Sequence, residues 1–279
     1  KMRLRLLIIL GIILLPVISF SQELQCNSIR DIAEKDLSFK DGESLTYVVT
    51  YKWGSVMTDV GEGVTTLRRI GGGAQPVHFH ASVTGKTYKF YDMFFKVRDL
   101  YESKFYASSI RPFYFYRSVE EGKYRMKNTY SFSQDNTIRA KVQKYDNPVT
   151  DTVLKGTNCT FDILTLFYYA RNLDFTKLQP GDKQPMSFTI DGELYDIYYR
   201  FIGREVKKIP GTGTFRTIKF AAKLVAGKVF RGDKEMIIWI TEDSNKIPLM
   251  FEMEIIIGKV YGRLTKFENL KFPQTSKLK

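Results

Sequence analysis

Histidine and cysteine are almost missing from this sequence of 279 residues, which holds two of each. His78 and His80, in "VHFHAS", would share one face of a strand, as paired metal ligands do. There is no third histidine, and neither Cys26 nor Cys159 has ligand spacing, so no metal or other cofactor is expected. A GxSxG elbow is also lacking, and a serine or cysteine hydrolase needs a nucleophile with an oriented base. The glycine-rich "GTGTF" at 211–215 lacks the P-loop lysine and precedes a strand, so it reads as a turn. Two carboxylate pairs, Asp99 with Glu102 and Glu120 with Glu121, have the residue types for acid/base work on a glycoside. The second pair falls in a hairpin turn, where neighbours diverge, and the first would need burial to shift a pKa. No catalytic residue is assigned on this basis.

Long apolar runs are lacking too, except at the start. "KMRLRLLIILGIILLPVISFSQ" opens with three positive charges, continues with an apolar stretch from Leu6 to Ile18, and closes on Ser19 and Ser21. That is the layout of an export signal. The stretch is shorter than the roughly twenty residues that span a bilayer. Residues 1–21 are therefore expected to be a signal peptide, cleaved near Ser21–Gln22, with an uncleaved anchor as the alternative. The expected location is periplasmic or outer-membrane associated, with a soluble mature chain. "QELQ", before Cys26, lacks the small residues of a lipidation site. In an oxidising compartment Cys26 and Cys159 would pair, the alternative being two buried thiols. Such a long closed loop is worth about 4 to 5 kcal/mol in the chain-entropy account.

Acidic residues are in deficit. The net charge is +13, or +10 without residues 1–21, and the excess is densest between Lys86 and Lys144. Export argues against nucleic acid and makes an anionic membrane surface, an acidic glycan or a lipid headgroup the available partner. A solvated basic face with no ligand is the plainer reading. Oligomeric state is not legible.

What is abundant is strand pattern. "ESLTYVVTYKWG" alternates Leu45, Tyr47, Val49, Tyr51 and Trp53 until Gly54 ends it. "VGEGVTTLRRIG", "QPVHFHASVTG" and "LYESKFYAS" read likewise, and "DMFFKVRD" as one short helix. The segment from Arg111 to Tyr145 reads as a meander turning at Glu121–Gly122 and Asp135–Asn136. "TFDILTLFYYARNL" is the main helix, about 160–173, with Thr160 as its cap. Beyond it, strands resume and turn at Asp191–Gly192. No linker or repeat marks a boundary, so residues 22–279 form one domain with an N-terminal arm over 22–40. The expected fold is mainly β: a single large antiparallel curved sheet or open β-barrel of about ten to fourteen strands, with one helix packed on its concave face.

Several blocks, "FKDGESLTYVVTYKWG", "FFKVRDLYES", "RPFYFYRSVEEGKY", "GREVKKIPGTGTFRTIKF" and "IWITEDSNKIPLMFEMEIIIGKVYGRL", together resemble the exported bacterial family catalogued as domain of unknown function 3108, in the style of its Bacteroides-type members. The resemblance covers about Phe39 to Phe272. It implies an envelope protein with a mostly antiparallel β fold and brings no catalytic residue with it. The closing block is also similar, more loosely, to the half-open barrels that carry lipoproteins between bacterial membranes, which implies an apolar concave cavity.

Twelve aromatic rings lie between Tyr88 and Tyr116, with Arg98, Arg111 and Arg117 close by. In "RPFYFYRS", alternation sends Phe113 and Phe115 one way and Tyr114 and Tyr116 the other. The phenylalanines then fill a core. Arg98, Tyr101, Arg111, Tyr114, Tyr116 and Arg117 are the candidate ligand-binding residues, a lip for an acidic amphiphile. Three readings follow: a non-enzymatic carrier of an amphipathic lipid or glycolipid, a docking or assembly partner in the envelope, and an enzyme acting on glycan or lipid. A deep open cavity favours the first, a filled core with an exposed apolar patch the second, and two buried convergent carboxylates the third.

Overall fold

The computed structural model describes residues 32–223 and 234–278, so the expected signal peptide and Cys26 lie outside the described residues. In chain order the elements are β1 (Ser44–Trp53), β2 (Val56–Gly72), β3 (Gln75–Thr87), α1 (Lys89–Phe95), β4 (Val97–Tyr106), β5 (Pro112–Glu121), β6 (Tyr124–Phe132), β7 (Thr137–Lys144) and β8 (Thr150–Lys155). There follow β9 (Thr160–Phe161), α2 (Ile163–Ala170), β10 (Lys183–Ile190), β11 (Glu193–Ile209), β12 (Gly213–Lys223), β13 (Glu235–Thr241), β14 (Pro248–Glu254) and β15 (Lys259–Glu268).

All fifteen strands form one sheet. Its order runs from β8 inward to β1, then from β15 outward to β9. The chain starts mid-sheet, winds out to one edge, crosses to the other and winds back until β15 pairs with β1. Every pairing is antiparallel except the short parallel contact of β9 with β10. The edge strands do not pair, yet only residues 156–159 separate them. Five links of extended chain reach at most about 18 Å, so the sheet must curl until its edges nearly meet. Gly156 is required in that crossing, because a Cβ there would lie 2.8 Å from Thr160 Oγ1.

The interior is packed by four apolar groups. Leu67, Phe79 and Phe105 meet Leu164 and Tyr168 of α2; Phe188, Tyr199 and Phe220 surround Phe175; Leu45, Phe215 and Leu264 join the two halves; and Phe115 stacks on Tyr130. Alternation explains which residues point inward. Leu45 and Tyr47 are buried as expected, whereas Trp53 is 64% exposed because β1 runs past the core to the rim.

The main helix is shorter than the sequence suggests. Thr160 and Phe161 pair with Ser187 and Phe188, and Thr160 Oγ1 bonds Ser187 Oγ at 2.7 Å, so Thr160 is not the cap. Asp162 caps instead, accepting from the Leu164 and Thr165 amides at 2.9 and 2.8 Å. Its second oxygen accepts from Ser103 of β4 at 2.8 Å, which pins the helix start to the sheet. The other helix, expected over "DMFFKVRD", sits three residues earlier, and Lys96 is already extended.

At its far end α2 is held by Arg171, which is 1% exposed. Its guanidinium pairs with both oxygens of Glu43, at 2.8 Å for Nη2–Oε2, and donates to the carbonyls of Ser38 and Asn245. It also lies over the rings of Phe39 and Tyr168. Burial opposes the charge, and Glu43 more than offsets this, so the Arg171 pKa is raised. Because removing one partner strands the other as a buried charge, Glu43→Ala is expected to cost about 3 to 5 kcal/mol. Equilibrium urea unfolding measures this loss.

Candidate functional site

The six residues proposed as a lip do not meet. β4 and β5 pair Tyr101 with Arg117, Glu102 with Tyr116 and Lys104 with Tyr114. Alternation from the buried Ser103, Phe105 and Phe115 puts Tyr101 and Arg117 inside, and Arg98, Tyr114 and Tyr116 outside. Arg98 is held by Asp92, and Tyr114 lies under the ammonium of Lys104. Arg111 belongs to the turn at the opposite end and donates to Asn136 at 2.8 Å. Phe113 also departs from the simple alternation. A bulge against Lys104 and Phe105 leaves its ring on Tyr106 and His78, which alternate with the buried Phe105 and Phe79.

Inside, a polar cluster locks the sheet across its own concavity. The tip of the β10–β11 hairpin, Asp191–Gly192 with φ of 55° and 80°, reaches β5 and β6. Asp191 accepts from Arg117 at 2.6 Å and Asn128 at 2.9 Å, and the Gly192 amide donates to Tyr130 Oη. Arg117 lies over the Tyr101 ring, and burial pushes the Tyr101 hydroxyl up to about 12 against the pull of that cation.

Next to this lock, Asp99 is raised to about 7, by burial first and then by the charge and hydrogen bonding of Glu121; the Glu120 amide and Arg117 oppose the rise. Asp99 and Glu121 thus share the inner face, while Glu102 and Glu120 face out, bound to His80 and Lys96. Asp99 and Glu102, paired in the sequence reading, lie on opposite faces by alternation, and the β4–β5 register brings Glu121 to Asp99 instead. The Asp99 and Glu121 carboxyls are both only half-buried, short of the two buried convergent carboxylates that would favour an enzyme. His78 and His80 lie together on the outer side, and the described residues hold no cluster that would bind a metal.

The same end of the sheet carries an unusual surface. The β1–β2 and β14–β15 turns are neighbours, since Lys52 pairs with Lys259 and Tyr51 Oη donates to the Ile257 carbonyl at 2.9 Å. α1 adjoins β2 through the Tyr88 amide, which donates to the Val60 carbonyl, and through a Thr58–Tyr91 hydroxyl contact. The helix is also held by Asp92, which accepts from Thr87 and Arg98. Its other side presents Phe90, Met93 and Phe94, spaced i, i+3, i+4 as for a core. They face solvent instead, with Met93 and Phe94 each 74% exposed. Trp53, Val56, Met57 and Ile257 continue this apolar rim. The spacing of the stripe is present in the sequence, but a helix expected over 92–99 leaves Phe90 outside it and the outward direction undecided.

An opening of about 360 Å³, lined by Glu34, Lys35, Lys40 and Lys271, is floored by Phe39 and Phe79. Both rings are 1% exposed and close it from the interior.

The chain belongs to the family described as "Protein of unknown function (DUF3108)", whose profile matches residues 46–265. No curated protein matches it. Among solved structures, a beta-barrel-like protein of domain of unknown function DUF1849 from Brucella abortus is similar over 84% of this chain and 100% of that one, with TM-score 0.55 and 10% identity. That likeness concerns the fold. A putative exported protein with YmcC-like fold from Bacteroides fragilis aligns over 88% of this chain and 100% of its own, with TM-score 0.36 and 9% identity.

The raised Asp99 pKa makes a signed prediction. A carboxyl that binds its proton more tightly when folded stabilises the fold fully below its unfolded value of 3.8, and this is lost as pH rises through about 7. Asp99→Asn, which keeps the neutral shape, is expected to flatten the fall in melting temperature between about pH 4 and pH 8. Thermal unfolding across that range, wild type against variant, reads it.

Proposed function

We propose that this member of the DUF3108 family is an exported, non-enzymatic protein of the bacterial cell envelope that works by docking, with the rim of α1 and the adjacent turns as its contact surface. The observation that carries this reading is the outward stripe of Phe90, Met93 and Phe94. A soluble monomer seldom leaves a contiguous apolar patch of this kind open to water unless something covers it. The buried clusters around Phe79, Phe105, Phe115 and Phe220 favour docking over carriage of an acyl chain, because these rings take up interior space among the described residues.

Export accords with the charged and apolar layout of residues 1–21 and with a disulfide at Cys159, which is buried. The chain has only one other cysteine, so we assign Cys26 as its disulfide partner. Alkylation of the unfolded, unreduced protein should therefore label neither cysteine, and reduction should expose two.

The docking reading is tested by fractionation. Met93→Glu combined with Phe94→Glu places charge on side chains that touch little, so the melting temperature should stay within about 2 °C of wild type, as for surface changes generally. The tagged full-length protein is expected to move from the envelope membranes to the soluble extract. Unchanged partition of a folded variant would exclude this rim as the docking surface.

A further inference from the structure

We infer that the surface this rim meets is an anionic lipid bilayer, entered shallowly by the α1 stripe and by the tips of the β1–β2 and β14–β15 turns. The inference rests on the docking reading and names its partner. Three observations on the rim favour lipid over a protein groove.

The first is charge. The carboxylates beside these tips are paired: Asp59 with Arg263, Glu62 with Lys86, Asp92 with Arg98, Glu254 with Lys259. Lys52 and Lys89 are exposed and have no carboxylate partner among the described residues. The apolar tips are thus flanked by uncompensated cations, the combination that holds a peripheral protein to anionic headgroups. Exposed Asp146 and Asp151 lie on the β7–β8 side, which places the footprint on α1 and the two neighbouring turns.

The second is shape. Trp53, Phe94 and Ile257 are exposed on three separate connections. A deformable layer accepts such separate tips. Trp53 has the amphipathic ring that favours the headgroup level.

The third is the backbone. A segment entering lipid must satisfy its own polar groups. Here the Ile255 amide donates to the Gly258 carbonyl, Tyr51 Oη satisfies the Ile257 carbonyl, and Val60 accepts from Tyr88. These tips can leave water without stranding those donors and acceptors.

Trp53 is also the probe. The other tryptophan, Trp239, is 3% exposed and bonded to Glu205, so a change in emission on binding reports Trp53. The experiment mixes the purified mature chain with vesicles of phosphatidylethanolamine and phosphatidylglycerol, or of phosphatidylcholine alone. It follows co-sedimentation, Trp emission and quenching by brominated acyl chains. The expected result is a blue shift and quenching with the anionic vesicles, affinity at least about tenfold weaker for phosphatidylcholine, and loss of that preference in Lys52→Glu/Lys89→Glu. Phe94→Glu should abolish quenching while the melting temperature holds. Equal affinity for the two vesicles overturns the anionic assignment. Unshifted Trp53 emission with anionic vesicles, while the protein still binds native envelope membranes in a protease-sensitive way, overturns the lipid partner and leaves docking intact. Binding to neither overturns both.

Discussion

The buried ion pair of Arg171 with Glu43 is the constraint on which the rest of the structure depends. An α-helix of eight residues has little stability of its own, and α2 has to hold its place inside a sheet that is not closed by hydrogen bonds. It does so by being fixed at both ends. Asp162 ties its start to Ser103 of β4, and Arg171 ties its end to the N-terminal arm, the entry of β1 and the β13–β14 turn. A buried charge pair gives little net stability but penalises misplacement heavily. Here it sets the position of a helix that contacts both winding halves of the sheet.

A second lock acts across the concavity. Asp191 at the β10–β11 tip gathers Arg117 and Asn128 from the opposite wall. Together the two locks do what strand pairing between β8 and β9 would do in a closed barrel. Of the aromatic rings of the 88–116 stretch, Phe105 and Phe115 serve the core and Tyr101 the second lock, while Phe90, Phe94 and Phe95 face solvent. What is left for contact with other molecules is the surface, and the surface departs most from expectation at the α1 rim.

Much of the fold was legible because strands of this kind have period two and their turns announce themselves. The paired positive φ values at Asp191–Gly192 and the glycine after Glu121 are chemical requirements that show in the residue types. The helix was legible in kind, though its cap was not: Thr160 and Asp162 are both good caps, and the choice fell to Asp162 because Ser187 takes the Thr160 hydroxyl. Arg117 and Tyr101 read as a wet lip because cations are seldom buried. Their burial needs Asp191, which comes 74 residues later in the chain than Arg117.

The sequence by itself determined the mainly β architecture, the basic balance and the scarcity of histidine and cysteine, since these follow from local periodicity and composition. Only the tertiary structure decided which way each aromatic points. One bulge turned Phe113 away from Phe115, register brought Asp99 to Glu121, and α1 faced its apolar stripe to water while sheet curvature filled the interior without it. An amphipathic pattern records that a face is apolar, and what covers that face is a property of the neighbours that long-range pairing brings.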